Sequence, residues 1–232
     1  MTQPLVIFDL DGTLLDTASD LIGAVNRVMA EEGLPPIDPV TYRATVGKGG
    51  RAMVSAALGA AGVEAEVRLL DRLTERFIDQ YIRHVAEHTR PFPGAMDALD
   101  RLTAADVRLA VCTNKREVLA IELFEKLEIL ERFVVICGGD TFPVRKPDPQ
   151  HILGTIEAAG GDPATTIMVG DSAADIDAAR AAGVKVVAVT FGYTDIHVSE
   201  LGADVVIDHF DDLLPALAAL SPALADKLDA KA

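Results

Sequence analysis

Short apolar runs rich in Val and Ile recur along the chain at residues 5–8, 109–112, 134–137, 167–169, 184–189 and 205–207. Continuous apolar runs without alternation are the pattern of strands buried on both faces, as in a parallel sheet. The segments between most of them have helical spacing. Leu119, Leu123 and Leu127 fall four apart, and the Ala-rich stretch 173–182 is a strong helix former. Strands alternating with helices predict an α/β chain with a doubly wound parallel-sheet, Rossmann-like core.

The alternation breaks between the first two runs, where no strand pattern stands. Leu21, Val25, Val28 and Met29 make one apolar stripe, and Leu70, Leu73, Phe77 and Tyr81 make another. Two such stripes predict an inserted all-helical unit over 17–87, with the core formed by 1–16 and 88–232. Arg90-Pro91-Phe92-Pro93-Gly94 marks the return to the core as a stiff connector that no helix can cross.

Composition narrows the class. The 232 residues are half apolar and one quarter charged, an ordinary globular balance for one domain with an insertion. With 21 Lys+Arg against 36 Asp+Glu the formal charge is −15, which repels nucleic-acid phosphates and anionic membranes and argues against both as partners. The Ala/Leu-rich stretch 213–225 is too short to span a bilayer and contains Pro215 and Pro222. Cys112 and Cys137 form no C-x-x-C pair and read as buried free thiols, and Met1-Thr2-Gln3-Pro4 opens no export signal. The expectation is a cytoplasmic protein, monomeric or homodimeric.

Four polar clusters sit at strand ends or just before a helix. Asp9-Leu10-Asp11-Gly12-Thr13 follows the first run. Carboxylates two positions apart project to the same side of an extended chain, at the edge where open sheets bind ligands. A capped turn is the plain alternative. A calcium loop starting at Asp9 would need Gly and Glu where Leu14 and Asp20 stand. Gly170-Asp171-Ser172-Ala173-Ala174-Asp175 follows the fourth run and places two carboxylates near a helix start. Cys112-Thr113-Asn114-Lys115 ends the second run in polar donors. In Arg145-Lys146-Pro147-Asp148-Pro149, Asp148 as N-cap and Pro149 at N1 start a helix and fix Lys146 at a loop rim.

Their chemistry is interdependent. Two unit negative charges about 4 Å apart repel by about 1 kcal/mol in water and about 4 kcal/mol at an effective dielectric of 20. An Asp9 that attacks a phosphoryl group therefore needs cations beside it. An all-oxygen carboxylate site suits Mg²⁺ better than Zn²⁺, with Asp9 and Asp171 supplying oxygens and Lys146 a second positive charge.

In this order the four clusters resemble the motifs of the haloacid dehalogenase superfamily of phosphatases, over nearly the whole chain, and the helical insertion resembles that family's cap domain. The resemblance implies that Asp9 is the nucleophile, forming an aspartyl-phosphate, and that Asp11 serves as general acid and then general base. It further implies that Gly12, Thr113 and Asn114 hold the phosphoryl group and that Lys146 offsets its charge. Mg²⁺ would be bound by Asp9, the Asp11 backbone carbonyl, Asp171 and Asp175, with Asp175 in direct contact or one shell behind. Asp at position 11 disfavours carbon–halogen cleavage, because family members with that activity lack it.

Thr45-Val46-Gly47-Lys48-Gly49-Gly50, Cys137-Gly138-Gly139-Asp140 and Thr190-Phe191-Gly192-Tyr193 resemble the family's bacterial phosphoglycolate phosphatase branch. That implies a small phosphorylated metabolite as substrate, 2-phosphoglycolate, giving glycolate and phosphate. The 47–50 loop should open a helix over about 51–58 whose amides, with Gly47, Lys48 and Arg51, suit the substrate carboxylate. The alternatives are a same-fold phosphatase or phosphomutase acting on a sugar phosphate or pyrophosphate and, more distantly, a non-catalytic phosphate-binding module. Two further matches lead elsewhere. His84-Val85-Ala86-Glu87-His88 fits an H-x-x-E-H zinc pattern but lies at the end of the helical insertion. Gly47-Lys48 lacks the Ser or Thr and the upstream Gly of a P-loop.

Overall fold

The computed structural model describes residues 3–230. In chain order the first elements are β1 (Leu5–Phe8), β2 (Leu15–Asp16), α1 (Ala18–Glu31), α2 (Pro39–Tyr42), α3 (Gly50–Ala60), α4 (Val67–Arg83) and β3 (Arg90–Pro91). There follow α5 (Ala95–Ala104), β4 (Arg108–Cys112), α6 (Glu117–Lys126), β5 (Val135–Cys137), α7 (Pro149–Ala158) and β6 (Thr166–Gly170). The chain closes with α8 (Ala173–Ala181), β7 (Lys185–Val189), β8 (Val205–Ile207), α9 (Leu213–Leu220) and α10 (Pro222–Asp229).

Six strands form one sheet in the order β5-β4-β1-β6-β7-β8, and every neighbouring pair is parallel. Counted along the chain within this sheet, the order is the doubly wound one, with β1 central and the direction of winding reversing between β1 and β6. Ligands in such sheets bind outside the carboxyl ends of the strands at that reversal. All six predicted strands are present. Leu5, Val6, Ile7 and Phe8 are fully buried, because helices cover both faces of β1.

Between β1 and β4 the predicted stripes face inward. Leu21, Val25, Val28 and Met29 of α1 are buried with Met53 and Val54 of α3 and with Leu70, Leu73, Phe77 and Tyr81 of α4. The segment before α3 is more regular than a loop, since residues Arg43–Lys48 form a 3-10 helix. Gly49, at φ 89°, then turns the chain into α3, a left-handed conformation that glycine alone adopts without strain.

The pattern did not foretell a two-stranded ribbon where the chain leaves and re-enters the core. Leu15 pairs with Pro91 and Asp16 with Arg90, antiparallel, and the Phe92 N–H donates to the Leu14 carbonyl at 3.0 Å. The stretch 213–225 breaks at Ser221, whose hydroxyl accepts from the Leu224 N–H and starts α10. Among the described residues no helix is long and apolar enough to cross a membrane.

Candidate active site

The Asp9 N–H donates to the Val169 carbonyl at 2.9 Å, carrying the β1–β6 ladder one residue past β1. The chain then folds on itself as the Leu10 carbonyl accepts from the amides of Thr13, Leu14 and Leu15 at 3.1–3.3 Å. Gly12, at φ 87°, makes this possible, and a Cβ there would fall 2.4 Å from Asp171 Oδ2. The loop is thereby pressed onto the end of β6. Thr13 Oγ1 donates to Asp171 Oδ1 at 3.1 Å, and the Tyr193 N–H donates to Asp171 Oδ2 at 2.7 Å.

Asp9, Asp171 and Asp175 meet here, all buried, each with an oxygen within 4.8 Å of the others, and they are the one such group among the described residues. Asp175 closes a capping box at the start of α8, accepting from the Ser172 N–H at 3.1 Å and the Ser172 hydroxyl at 2.6 Å. Lys146 reaches in from the loop before α7. Its Nζ donates to Asp175 Oδ1 and to the Cys112 carbonyl, both at 2.6 Å, and lies 3.0 Å from Asp9 Oδ1. Burial alone would depress this ammonium, but Asp175 and Asp9 override it and hold Lys146 above the ordinary lysine range.

One ammonium does not balance three buried carboxylates. Burial pushes Asp9 up to about 6 despite Lys146, and burial with the charges of Asp175 and Asp9 pushes Asp171 well above the ordinary carboxylate range. Asp9 Oδ1, moreover, is buried with the Lys146 ammonium, 3.0 Å away, as its one neighbouring donor among the described residues. A buried all-oxygen carboxylate cluster with surplus negative charge is the donor set that Mg²⁺ takes.

Asp11 is held apart from this cluster. Its carboxylate accepts from Thr17 Oγ1 at 2.7 Å and from Lys115 Nζ at 3.0 and 3.3 Å. Lys115 is itself buried, its ammonium 4.4 Å from the centroid of the Tyr81 ring. Thr113 is buried at the end of β4, its N–H on the Cys137 carbonyl at 3.0 Å and its hydroxyl accepting from the Lys115 N–H at 3.2 Å. Asn114 Nδ2 donates to the Lys146 carbonyl at 3.1 Å, while its buried Oδ1 has no partner.

Two residues behind the site hold its loops. His151 Nδ1 accepts the Lys146 N–H at 3.1 Å, so its Nε2–H faces the Gly138 carbonyl at 3.0 Å. Burial, reinforced by the Lys146 charge, lowers this imidazole to about 4. The Tyr193 hydroxyl accepts from the amides of Thr17 and Ala18 at 2.7 and 3.1 Å and donates to Asp16 Oδ1 at 2.6 Å.

Two cavities open from this floor toward the inserted helices. Asp11, Val46, Gly49, Arg51, Met53, Phe77 and Lys115 help to line one, and Gly47, Lys48, Lys146, Ser172 and Tyr193 the other. Asn114 and Arg145 border both.

Asp9, Asp11, Gly12, Thr113, Asn114, Lys146, Asp171 and Asp175 thus converge at the carboxyl ends of β1, β4 and β6 and on the loop before α7. The candidates from the insertion stand further out: Lys48 pairs with Asp195 at 3.3 Å and Arg51 with Asp71, all four exposed. Lys115 is a site residue that the motif reading passed over, its only signal being its position two residues past Thr113. In the H-x-x-E-H segment His84 Nδ1 lies 2.8 Å from Glu87, and the His88 backbone N–H donates to Asp20. Both cysteines are free and buried, and burial raises the Cys112 thiol to about 12.

A doubly wound sheet carrying this constellation at its reversal point defines a class, and residues 6–189 match the haloacid dehalogenase-like hydrolase model. The chain belongs to that family. It is 50% identical over 231 residues to the phosphoglycolate phosphatase of Agrobacterium fabrum, covering 99% of this chain and 95% of that one. It is 37% identical over 219 residues to the N-acetylmuramic acid 6-phosphate phosphatase of Pseudomonas aeruginosa, covering 94% and 96%. The crystal structure of a predicted phosphoglycolate phosphatase from Haemophilus somnus superposes with a TM-score of 0.86 at 28% identity, covering 93% and 98%.

Proposed function

We propose that this protein is a Mg²⁺-dependent phosphomonoester hydrolase that converts 2-phosphoglycolate to glycolate and inorganic phosphate. The observation that carries the reading is the division of the two motif carboxylates. Asp9 lies in the three-carboxylate cluster beside Lys146, whereas Asp11 is drawn off by Lys115 and Thr17.

In the first step an Asp9 oxygen attacks phosphorus, the ester P–O bond breaks, and the leaving alkoxide takes a proton from Asp11. In the second step Asp11, now a base, takes a proton from the water that attacks the aspartyl-phosphate, and phosphate leaves with Asp9 restored. Lys146, with Thr113 and the Asn114 amide, offsets charge on the phosphoryl oxygens. Asp9, Asp171, Asp175 and the Asp11 backbone carbonyl would hold Mg²⁺. When bound, the ion offsets the repulsion between the nucleophile and the dianionic ester.

Residues 17–87 act as a cap domain on a core of 1–16 and 88–232, and the end of the 3-10 helix at Gly47 and Lys48, with the glycines that follow and Arg51, forms the wall over the far end of the substrate. The enzyme works in the reducing cytoplasm, as a monomer or homodimer, in keeping with its two buried thiols. The relative named for N-acetylmuramic acid 6-phosphate favours a sugar phosphate as the second reading. Both named substrates are phosphorylated acids.

Phosphate release measured over 2-phosphoglycolate, ethyl phosphate, glucose 6-phosphate, N-acetylmuramic acid 6-phosphate and pyrophosphate tests this. The expected result is a kcat/KM at least about tenfold higher on 2-phosphoglycolate, abolished by EDTA and restored by Mg²⁺. A tenfold preference for another ester would replace the substrate. Full activity in EDTA would remove the metal, and no activity on any ester would leave a binding module.

A further inference from the structure

The cavity that reaches Asp11 is lined by four cations and four carboxylates, and three ion pairs among them leave Arg145 and Asp140 over. Lys115 meets Asp11 at 3.0 Å, Arg51 meets Asp71, and Arg116 meets Glu75 at 2.9 Å. The fourth carboxylate, Asp140, accepts the Glu117 N–H at 2.8 Å at the start of α6. Arg145 has no carboxylate among the described residues.

An exposed arginine elsewhere on the surface would simply be solvated. Arg145 instead borders both cavities, next in sequence to the buried Lys146 and across from the turn that opens α3. A Cβ on Gly49 would lie 3.5 Å from Arg145 Nη1, ordinary contact distance, so the guanidinium stands directly beside the turn that opens α3. A planar fork of N–H donors matches a carboxylate through two parallel hydrogen bonds, which an ammonium cannot do. Lys146 turns its ammonium inward to Asp9 and Asp175, while Arg145, the next residue along the same loop, borders the cavities above them.

We propose that Arg145 is the specificity residue that grips the substrate carboxylate, while Lys48 and Arg51 are held by Asp195 and Asp71. This rests on the phosphorylated-acid reading of the substrate. It assigns recognition of the acid to the loop that also carries Lys146, so both anionic ends of the substrate are read from the core, and the insertion supplies the wall.

The test compares kcat and KM of wild type, Arg145→Gln and Arg145→Lys on 2-phosphoglycolate and on ethyl phosphate, which has a methyl in place of the carboxylate. In Arg145→Gln the loss on 2-phosphoglycolate should exceed that on ethyl phosphate by about 10- to 100-fold, mainly through KM, as expected for removing charged hydrogen bonds. Arg145→Lys should recover part of the preference, with circular dichroism and Tm matching wild type in both variants. A preference kept in Arg145→Gln, or equal losses on the two esters, overturns the assignment and leaves the substrate reading standing. A wild type that turns over ethyl phosphate as well as 2-phosphoglycolate overturns both.

Discussion

Lys146 and Lys115 are buried lysines that each meet a carboxylate of the same loop, yet different parts of the chain hold them. The hydrogen-bond and ion-pair partners named above for the Lys146 ammonium and amide come from the sheet and the helices that follow its strands: Asp9 after β1, the Cys112 carbonyl on β4, Asp175 in α8, and His151 of α7 behind its amide. Lys115 touches Asp11 on one side and the ring of Tyr81 on the other, and Tyr81 belongs to α4 of the inserted helices. The charge beside Asp9 is therefore set without the inserted helices. The charge beside Asp11 depends on how those helices are seated.

The deepest cut into the core-held half is Asp9→Asn. The amide cannot attack, and phosphate release should fall by at least about 10⁴-fold with the circular dichroism spectrum unchanged. Appreciable residual turnover would show that another group is the nucleophile. Next is Lys146→Met, which leaves Asp9 and Asp175 buried without their cation. Urea denaturation should show a loss of about 3–5 kcal/mol together with an inactive enzyme, because removing one partner strands the other's charge.

On the other half, Lys115→Met should lower kcat by about 10- to 100-fold, since Asp11 keeps only Thr17 as a side-chain partner. Tyr81→Leu should lower it in the same direction by less, as a cation–π contact is worth about 0.5–2 kcal/mol. If Tyr81→Leu harms activity as much as Lys146→Met does, the two halves are not independent.

His151 offers a pH test of the core-held half. It is kept neutral down to about 4, against 6.5 for an ordinary histidine. Between those values the unfolded chain binds the extra proton, so this group's contribution is complete above pH 6.5 and is lost as pH falls toward 4. The stability advantage of wild type over His151→Gln in urea should accordingly be greatest at pH 7 and shrink at pH 5 and below. An advantage that does not vary with pH would mean that the imidazole is not held neutral. The smallest effect belongs to Arg51→Ala, an exposed pair with Asp71, for which a change of less than about threefold on either ester is expected.

The sheet was legible because buried parallel strands leave unbroken apolar runs, and all six appear where those runs stand. The convergence of Asp9, Asp171, Asp175 and Lys146 was legible because each closes, opens or precedes a regular element. What stayed hidden has no local pattern. The ribbon of Leu15–Asp16 with Arg90–Pro91 is two residues long. Lys115 looks like any lysine after a strand until Asp11 and Tyr81 are brought to it from distant parts of the chain. Tyr193 stood in a recognised motif, but that its hydroxyl would bond Thr17 and Asp16 is a fact of tertiary packing alone. Lys48 and Arg51, which charge and position point to, are matched by Asp195 and Asp71. Net charge along a sequence does not say who neutralises whom.

The ribbon has one more consequence. Because Asp16 faces Arg90 across a pair of antiparallel strands, the outgoing and returning chains stand one strand spacing apart, about 4.8 Å. A two-residue Asn-Gly hairpin is long enough to bridge that gap in place of all four helices. The segment is, in effect, a cassette with both seams at one address, so natural relatives could exchange or resize it while the ends of the strands stay in register.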